Sequence, residues 1–541
     1  MRLDKRRLFS FTLKVICITF IIFGFNRTTC IFSTSYYDVL ISYNSLYGFQ
    51  LASCTTNKKD SNSPLIKSEG PPYPRLAMWW PDSGDPDLDL LVRYDYIGWG
   101  DWENEATLEV LKQLNPEQLH FMSVNLTEVG WDDWDNNPLL YEVPDVWFLT
   151  MVGTVLAEDI DETQITIPVN ETRNVNQYPL FEPWDTVVCG SESMSVIAVN
   201  HSASTITVER GFVRPAAAHS AGERIAAHIS FWPRTWVMNM STLCPEYDAG
   251  NGPERWTDWA IRNDMSDDTM DGLMIDRLEQ TQSWLLNRHA RTIDPDCTNT
   301  LIEDGYEEFD DAWEEGILAM LLELRTILEG KPIIANSGGA FRDQMNGSIY
   351  ESCPGNWSDS IPETYDDWEE SVLGDEGYII VSKSGYVPNF SLVETYELEE
   401  YYDENPMDDP SFVPNYQRMR WGITTALLGD GYFSYEIGIN GHGSLGLMWF
   451  DEYDNAGEGQ GYLGYPTSDV ITVHDYGNDG KVFRRNFDNG IVICNPSERV
   501  ATVALGGEYR LISGAQEPGV NTGEWVDTVV IAPKDGRILV N

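Results

Sequence analysis

The stretch that decides the fold is Asp271-Gly-Leu-Met-Ile-Asp276-Arg-Leu-Glu279. A short apolar run beside a glycine is typical of a fully buried strand in a parallel sheet. A carboxylate at the last position of such a strand lies at the carboxyl-terminal edge of the sheet, and in a (β/α)₈ barrel that edge carries the functional groups. Asp276 is therefore a candidate functional carboxylate, whereas Asp271, which begins the strand, is more typical of a turn.

A second run of the same kind, Gly347-Ser-Ile-Tyr-Glu351, follows downstream. Two carboxylates that nearby strands deliver to one edge form the pair that glycoside hydrolysis requires, one as acid and the other as nucleophile or base. We therefore predict that Asp276 and Glu351 are catalytic. Taken singly, each could instead cap a helix or form a salt bridge. The spacing along the chain does not distinguish inversion from retention of configuration.

Other polar and aromatic residues are expected to bind substrate around this edge, because indole faces stack on pyranose rings and polar groups hydrogen-bond sugar hydroxyls. The predicted binding residues are Trp79, Trp80, Asp82, Asn336, Glu279, Glu436 and Asp451. A buried aromatic pair is the alternative for Trp79 and Trp80, and a turn is the alternative for Asn336. Asp451 could instead seal the barrel against the C-terminal region, and Glu279 could orient Asp276 or cap a helix.

Strand and helix patterns alternate on both sides of these runs. Helical spacing covers residues 106–114, 253–264, 309–328 and 416–428. The expected strands are residues 75–80, 96–100, 120–125, 234–241, 271–276, 331–336, 347–351, 378–381 and 431–436. About eight strands with helices between them predict an α/β fold, a (β/α)₈ TIM barrel, rather than an open sheet.

The alternation is interrupted twice, and each interruption contains only short β runs separated by turn residues. Residues 153–227 are predicted to form an inserted small β domain, and residues 465–541 a C-terminal β-sandwich. The barrel would then be discontinuous, over residues 75–152 and 228–464. Within the insert, Glu192, Arg210 and His219 are expected to be structural, with binding of sugar or cell wall as the alternative.

The first 54 residues are typical of a leader, and residues 55–74 of a linker. A basic segment precedes an apolar run over residues 8–25, which indicates an export signal or an uncleaved anchor. Leu51-Ala-Ser-Cys54 is similar to a bacterial lipoprotein cleavage site, so Cys54 is a candidate for lipidation. We expect a secreted or cell-surface protein that meets a membrane only through an N-terminal anchor or lipid.

The chain is strongly acidic, with 35 Lys and Arg against 86 Asp and Glu and a net charge of −51. Nucleic acid is excluded as a partner, because its phosphates would be repelled. The acid is spread along the whole chain, which favours a surface suited to a salty medium over a site for a cationic sugar. Cysteines and histidines are scattered without a C-x-x-C pair, so we expect no metal and no cofactor; a Cys244–Cys297 bridge stays open.

With these residues in place, the chain resembles a glycoside-hydrolase-like TIM-barrel family related to the endo-α-1,4-polygalactosaminidase group. The resemblance covers about residues 76–541 without the insert, and it rests on residues 271–276, Asn336, residues 347–351, 355–357, 418–432, 449–453 and 487–496. It implies that the acids ending the fourth and sixth strands, Asp276 and Glu351, are catalytic, and that the substrate is a polysaccharide or oligosaccharide. Because function belongs to the site and not to the fold, the alternative is a non-catalytic glycan-binding lipoprotein on the cell surface.

Overall fold

The computed structural model describes residues 70–81, 86–100, 105–131, 140, 143–264, 269–288, 292–300, 306–354, 364–398, 411–438, 443 and 446–541. Residues 63–541 form one compact unit. The predicted leader, the lipidation site at Cys54 and the binding residue Asp82 lie outside the described residues.

Eight parallel strands organise this unit. They are β1 (Ala77–Trp79), β2 (Tyr96–Trp99), β3 (Leu119–Asn125), β4 (Gly272–Asp276), β5 (Ile333–Ala335), β6 (Ile349–Tyr350), β7 (Leu392–Leu398) and β8 (Tyr432–Gly438). Strands β1 to β5 pair in chain order in one sheet, and β6 to β8 pair in chain order in another. Single parallel bridges join Ala335 to Ser348 and Leu76 to Phe433, so the two sheets meet at both edges. The expected α/β class, with parallel and separate antiparallel sheets, is confirmed.

The parallel strands are buried on both faces, which explains their nearly continuous apolar sequences. One face of each strand contributes to an inner cluster that comprises Ala77, Trp79, Tyr96, Leu119, Phe121, Met274, Ile334, Ile349, Phe390, Leu392 and Tyr432. The other face packs against helices: in β4, for example, Leu273 and Ile275 belong to the main core and Met274 to the inner cluster. Full burial of one such side chain contributes roughly 1.5–3 kcal/mol.

The helices lie between the strands along the chain. They are Leu88–Leu91, Glu105–Leu114, Trp256–Asp264, Tyr306–Ile327, Tyr365–Leu373, Tyr378–Val381, Tyr416–Leu428 and Asp451–Asp454, with 3₁₀ turns at Asp145–Trp147, Ser283–Arg288, Arg342–Gln344 and Gly477–Asp479. Among the described helices, none is both long and apolar enough to cross a bilayer.

Two predicted strands were wrong. Tyr378–Val381 is a short helix, and the seventh parallel strand is Leu392–Leu398. A four-residue apolar run does not distinguish helix from strand by its periodicity, which is why this run was misassigned. Of residues 234–241, only Thr235–Val237 is a strand, and it pairs antiparallel with Glu128–Gly130 instead of joining the parallel sheets.

Residues 154–227 form a six-stranded antiparallel sheet, which we call the insert sheet. In order of pairing, its strands are Thr154–Val155, Arg224–Ala227, Thr186–Cys189, Glu192–Asn200, Thr205–Glu209 and Thr166–Pro168. An antiparallel bridge between Leu156 and Val169 joins the two edges, so the sheet surrounds its own core. Two-residue antiparallel pairs also occur between Thr150–Met151 and Ile293–Asp294, and between Tyr247–Asp248 and Pro253–Glu254.

The C-terminal strands, in the region predicted as a β-sandwich, form one hydrogen-bonded antiparallel sheet. In order of pairing they are Ile471–Asp475, Lys481–Phe487, Gly490–Asn495, Asp535–Val540, Ala501–Leu511 and Trp525–Ile531. His474 Nε2 lies 2.8 Å from the Thr502 carbonyl although their strands are not neighbours in this order, so the sheet curls over its own core. Its other face packs on helix Tyr416–Leu428, where Cys494 contacts Thr425.

Candidate active site

The two predicted catalytic carboxylates lie at the carboxyl-terminal ends of their strands. Asp276 is the last residue of β4 and is aligned with Asn125, the last residue of β3. Glu351 directly follows β6. Asp276 is 9% exposed and Glu351 is half-buried. Since parallel strands end on the same side of a sheet, this alignment explains how two residues distant in sequence reach one edge.

Asn336, which directly follows β5, contacts both carboxylates. Its side-chain nitrogen donates to Asp276 Oδ1 over 3.2 Å and to Glu351 Oε2 over 2.8 Å. Both oxygens are bonded to one nitrogen, so they lie no more than about 6 Å apart. Asn336 was predicted to bind a sugar hydroxyl or to form a turn, and the structure gives its amide a third position, between the two acids.

Asn125 supports Asp276 from the opposite side and was not predicted as a site residue. Its side-chain nitrogen donates to Asp276 Oδ2 over 3.3 Å. Its side-chain oxygen accepts from the backbone N–H groups of Thr127 and Glu128, both over 3.1 Å, which fixes the orientation of the amide. The strand was predicted to end at Asn125, so its place at the strand end, the same signal that marks Asp276, could have identified this residue.

Tyr396 links Glu351 to a further buried acid, Glu394. The phenol oxygen lies 2.8 Å from Glu351 Oε1 and 3.0 Å from Glu394 Oε2. Burial, followed by the neighbouring charges of Glu394 and Glu351, raises the pKa of Tyr396 well above its ordinary value, so the phenol keeps its hydrogen. A phenol has one hydrogen to donate, so the second contact is a hydrogen bond only when one of the two acids carries a proton. Both Tyr396 and Glu394 lie on β7, the strand that was not predicted from the sequence.

The tryptophan pair does not form the predicted open stacking surface. Trp79 is 1% exposed, belongs to the inner cluster and donates from its indole to Ser123 over 3.0 Å. Its ring centroid lies 5.0 Å from that of Trp80. Trp80 is half-buried, and its ring lies so close to Gly100 that an added Cβ there would be 2.7 Å away. The predicted role of Trp79 is therefore corrected to core packing, because its strand directs the indole inward, and the role of Trp80 stays a prediction.

Glu436 and Asp451 hold parts of the fold together. Glu436 is fully buried on β8, and its Oε1 accepts from Ser434 over 2.5 Å and from the backbone N–H of Trp79 over 3.4 Å. Asp451 Oδ2 accepts from the backbone N–H groups of Ala515 and Gln516 over 2.8 and 2.9 Å. The fully buried Glu436 ties β8 to β1, which corrects its predicted contact with substrate. The contacts of Asp451 fit the alternative of sealing the barrel against the C-terminal region, and its predicted binding role stays a prediction.

Glu279 orients an arginine beside the site. Its Oε1 accepts from Arg277 Nε over 3.0 Å, and Arg277 also forms an ion pair with Glu128 over 2.7 Å. The guanidinium carbon lies 3.8 Å from the ring centroid of Phe231. Glu279 therefore fixes Arg277, the residue that follows Asp276, and its predicted role in binding substrate stays a prediction.

A left-handed residue lies one or two positions after each of three strand ends at this edge. Trp80, Arg277 and Ser352 have φ values of 47°, 54° and 57°, and the latter two come immediately after Asp276 and Glu351. For residues other than glycine this conformation costs about 1–3 kcal/mol and persists only where the surrounding structure enforces it. The sharp turn keeps each carboxylate at the edge, and no glycine marks it in the sequence.

Comparison with known proteins gives a family and several structural similarities. The family model of hypothetical glycosyl hydrolase family 15 matches residues 217–491, a little over half of the chain and a range that includes Asp276 and Glu351. No curated protein matches.

Two solved structures illustrate the structural similarity. The chain is similar to the glycoside hydrolase domain of PelA from Pseudomonas aeruginosa, with 10% identity, a TM-score of 0.35, and coverage of 69% of this chain and 96% of that one. It is also similar to the GH36 alpha-galactosidase AgaA from Geobacillus stearothermophilus, with 10% identity, a TM-score of 0.39, and coverage of 86% and 55%. On the family match, the chain belongs to hypothetical glycosyl hydrolase family 15.

Proposed function

We propose that this protein is an exported glycoside hydrolase that cleaves a polysaccharide with Asp276 and Glu351. The observation that carries the proposal is the single amide of Asn336, which donates to both carboxylates. Glycosidic cleavage needs two acids on opposite sides of one scissile bond, and this amide holds two acids at such a separation. The basic and apolar leader of the sequence supports export to the cell surface or the medium.

We further propose that the eight parallel strands form a (β/α)₈ barrel and that the site occupies its carboxyl-terminal rim. The parallel pairings within the two sheets, together with the bridges Ala335–Ser348 and Leu76–Phe433, support a closed arrangement. Asn125, Asp276, Asn336 and Glu351 lie at the ends of four consecutive strands, β3 to β6. In enzymes of this fold, the catalytic groups come from the same ends of several strands.

The contacts of the two acids favour different roles. Asp276 accepts from two amides, and hydrogen bonds to the ionised form of a carboxyl favour that form, which suits a nucleophile. Glu351 contacts the Tyr396 phenol, which also contacts the buried acid Glu394, and we assign to Glu351 the role of protonating the leaving oxygen. The bonded oxygens lie no more than about 6 Å apart, which is below the 6.5–9.5 Å of inverting enzymes and compatible with the 5–5.5 Å of retaining ones.

In this mechanism Asp276 attacks the anomeric carbon while Glu351 donates a proton to the departing oxygen. A water molecule then hydrolyses the glycosyl-Asp276 ester, and Glu351 accepts the proton of that water. Completion of the second step returns the two acids to their starting protonation states, and Asn336 keeps their relative positions throughout.

The test is a glycan-array screen followed by a reducing-end assay on every glycan that binds. Wild type is expected to release reducing ends, while Asp276→Asn and Glu351→Gln still bind the glycan without cleaving it. The matched control is Asp271→Asn, which removes the acid at the opposite end of β4, where it accepts from the His120 N–H over 3.0 Å. This control is expected to retain turnover.

The configuration of the first product, measured by NMR, separates the roles of Asp276. A retained anomer supports the nucleophile, and an inverted anomer means that Asp276 acts as a base on water. Wild type that binds a glycan but never cleaves it would overturn the hydrolase and leave the glycan-binding surface protein.

A further inference from the structure

We propose that the insert sheet carries a binding site for a zinc-type divalent metal ion, with Cys189, His219 and Glu223 as ligands. One ligand atom from each of these residues lies within 4.8 Å of the other two. The site is separate from the rim carboxylates and does not depend on the proposed hydrolase. The spacing along the sequence does not reveal it, because Cys189 is far from the other two residues in the chain.

The fold of the insert sheet brings the three ligands together. Cys189 ends the strand Thr186–Cys189 and pairs with Ile225 on the neighbouring strand. Glu223 immediately precedes that neighbouring strand, Arg224–Ala227, and His219 lies four residues earlier on the same segment. A buried thiol at a strand end therefore faces an imidazole and a carboxylate that enter the adjacent strand.

The distance between two of the ligand atoms is close to that in a metal shell. His219 Nδ1 lies 3.0 Å from Glu223 Oε1. Two ligand atoms bound to one tetrahedral zinc ion, at about 2.0–2.1 Å each, lie about 3.3 Å apart. The imidazole and the carboxylate would therefore need only small shifts to bind one ion, and the Cys189 sulfur lies within 4.8 Å of both ligand atoms. A water molecule would complete a four-coordinate site.

A second group of residues fixes the orientation of the imidazole. His219 Nε2 lies 2.9 Å from Glu192 Oε2, and Arg210 binds the same carboxylate through two contacts of 2.7 Å. Where a carboxylate accepts from one ring nitrogen of a histidine, the other nitrogen is left to bind the metal, and this arrangement accompanies most metal-binding histidines. Here Glu192 takes Nε2, so Nδ1 is directed toward Glu223.

The ligand set selects the class of ion. Thiolate and imidazole ligands favour zinc and its spectroscopic substitute cobalt, whereas calcium and magnesium prefer shells made only of oxygen. The Glu223 side chain is 34% exposed, which gives an ion access from solvent, while Cys189 and His219 are buried. Bound metal would fix the segment that carries His219 to the strand that ends at Cys189.

The experiment is a titration of the full-length protein with Co²⁺ and then Zn²⁺, after treatment with EDTA. We expect one equivalent to bind, with a sulfur-to-cobalt charge-transfer band that Zn²⁺ abolishes. Cys189→Ser should lose the band, and Glu192→Gln should weaken binding by about 10–100-fold, because it removes the partner that orients the imidazole. The control is Cys494→Ser, which removes another buried thiol, in the C-terminal sheet, and should keep the band.

A measurement on the wild type avoids any variant that fails to fold. Zinc should protect Cys189 from alkylation, as mapped by mass spectrometry, while the labelling of Cys494 is unchanged. Absence of stoichiometric cobalt binding, or a charge-transfer band that persists in Cys189→Ser, would overturn the proposal. His219 and Glu223 would then be a hydrogen-bonded pair only.

Discussion

The candidate active site, here called the rim site, contains the carboxylates Asp276 and Glu351, and the insert sheet contains the carboxylate Glu192. The two regions hold these carboxylates with different partners. Burial alone would raise the pKa of Glu192 in the insert sheet, yet hydrogen bonds from Arg210 and His219 outweigh it and lower that pKa to about 2. At the rim, the contacts described for Asp276 and Glu351 come from amides and a phenol. A guanidinium adds a full opposite charge that holds a carboxylate in its ionised form, whereas neutral amides and phenols position a carboxylate through weaker hydrogen bonds.

The largest expected effect tests whether the rim acids act as one unit. Asp276→Asn and Glu351→Gln should each lower kcat by about 10³-fold, within the range for loss of an acid or base. Residues that act together in one step are strongly non-additive, so the double variant should be no slower than the slower single variant by more than a few-fold. The measurement is kcat for reducing-end release by the four proteins, each with its melting temperature as a check of folding.

A double variant that loses the product of the two single effects would contradict this unit and indicate acids that work independently. Asn336 would then be hydrogen-bonded to two acids whose contributions to kcat are independent.

The insert sheet should respond in stability and not in catalysis. Arg210→Met leaves the fully buried Glu192 without its guanidinium, and breaking a buried ion pair in this way costs about 3–5 kcal/mol. Replacing both partners, with Glu192→Gln and Arg210→Met together, should cost less than Arg210→Met alone, since no charge is left uncompensated. The measurement is the melting temperature, with limited proteolysis to locate the opened segment.

Equal destabilisation by the single and double variants would show that Arg210 contributes by packing and by its contacts with backbone carbonyls, and not through the charge of Glu192. The rim site and the insert sheet would then differ in the packing around their carboxylates, and not in the charge of the partners.

The shared amide comes next in size. Asn336→Ala removes the amide that positions both acids. A hydrogen bond to a charged group contributes about 1.5–3 kcal/mol, and a loss of that size should lower kcat by about 10–100-fold even though both acids remain. Asn125→Ala is the matched comparison, because it removes one amide contact to Asp276 over a longer 3.3 Å and should cost less than tenfold. Steady-state kinetics on the three proteins measure both effects. An equal decrease of kcat in both variants would show that Asn336 contributes no more than Asn125, even though its amide contacts both acids.

The sequence predicts the strands that end at Asp276 and Glu351 because their buried positions are apolar and their polar residue comes last. It does not predict β7, because Leu392-Val-Glu-Thr-Tyr-Glu-Leu398 carries the acids Glu394 and Glu397 in its interior and so contains no continuous apolar run. Glu394 belongs to the candidate site, so a residue of the site itself hides the strand. The apolar run Tyr378–Val381, which is a short helix, was predicted as the strand instead.

Two other features of the site depend on contacts that no local pattern encodes. The left-handed conformations of Arg277 and Ser352 occur without glycine, and they are enforced by packing and by the ion pair of Arg277 with Glu128. Trp79 lies in the inner cluster and the half-buried Trp80 packs against it, an arrangement that depends on where β1 ends. The sequence therefore places Asp276 and Glu351 at the ends of strands, and the tertiary structure adds the amides and the phenol around them.

The smallest expected effect separates Tyr396 from the acids it links. Tyr396→Phe should lower kcat by about tenfold, the value of one hydrogen bond to an acid. Because burial and the neighbouring acids raise the pKa of Tyr396 well above its ordinary value of about 10, the phenol keeps its hydrogen throughout an assay from about pH 5 to about pH 10. The ratio of the kcat values of wild type and variant should thus be constant with pH, and both proteins should lose activity along the same alkaline limb.

The matched control is Tyr435→Phe, on the adjacent strand β8, where the hydroxyl donates to Glu397 over 2.7 Å instead of to a rim acid. It removes the same group from a similarly buried tyrosine and should leave kcat within about twofold, since Glu397 is not a reacting group. If the profiles of wild type and Tyr396→Phe converge at high pH, Tyr396 loses its proton within the assay range and itself takes part in proton exchange. The rim site would then exchange protons through Tyr396 as well as through its two acids. It would differ from the site of the ionised Glu192 by more than its hydrogen bonds alone indicate.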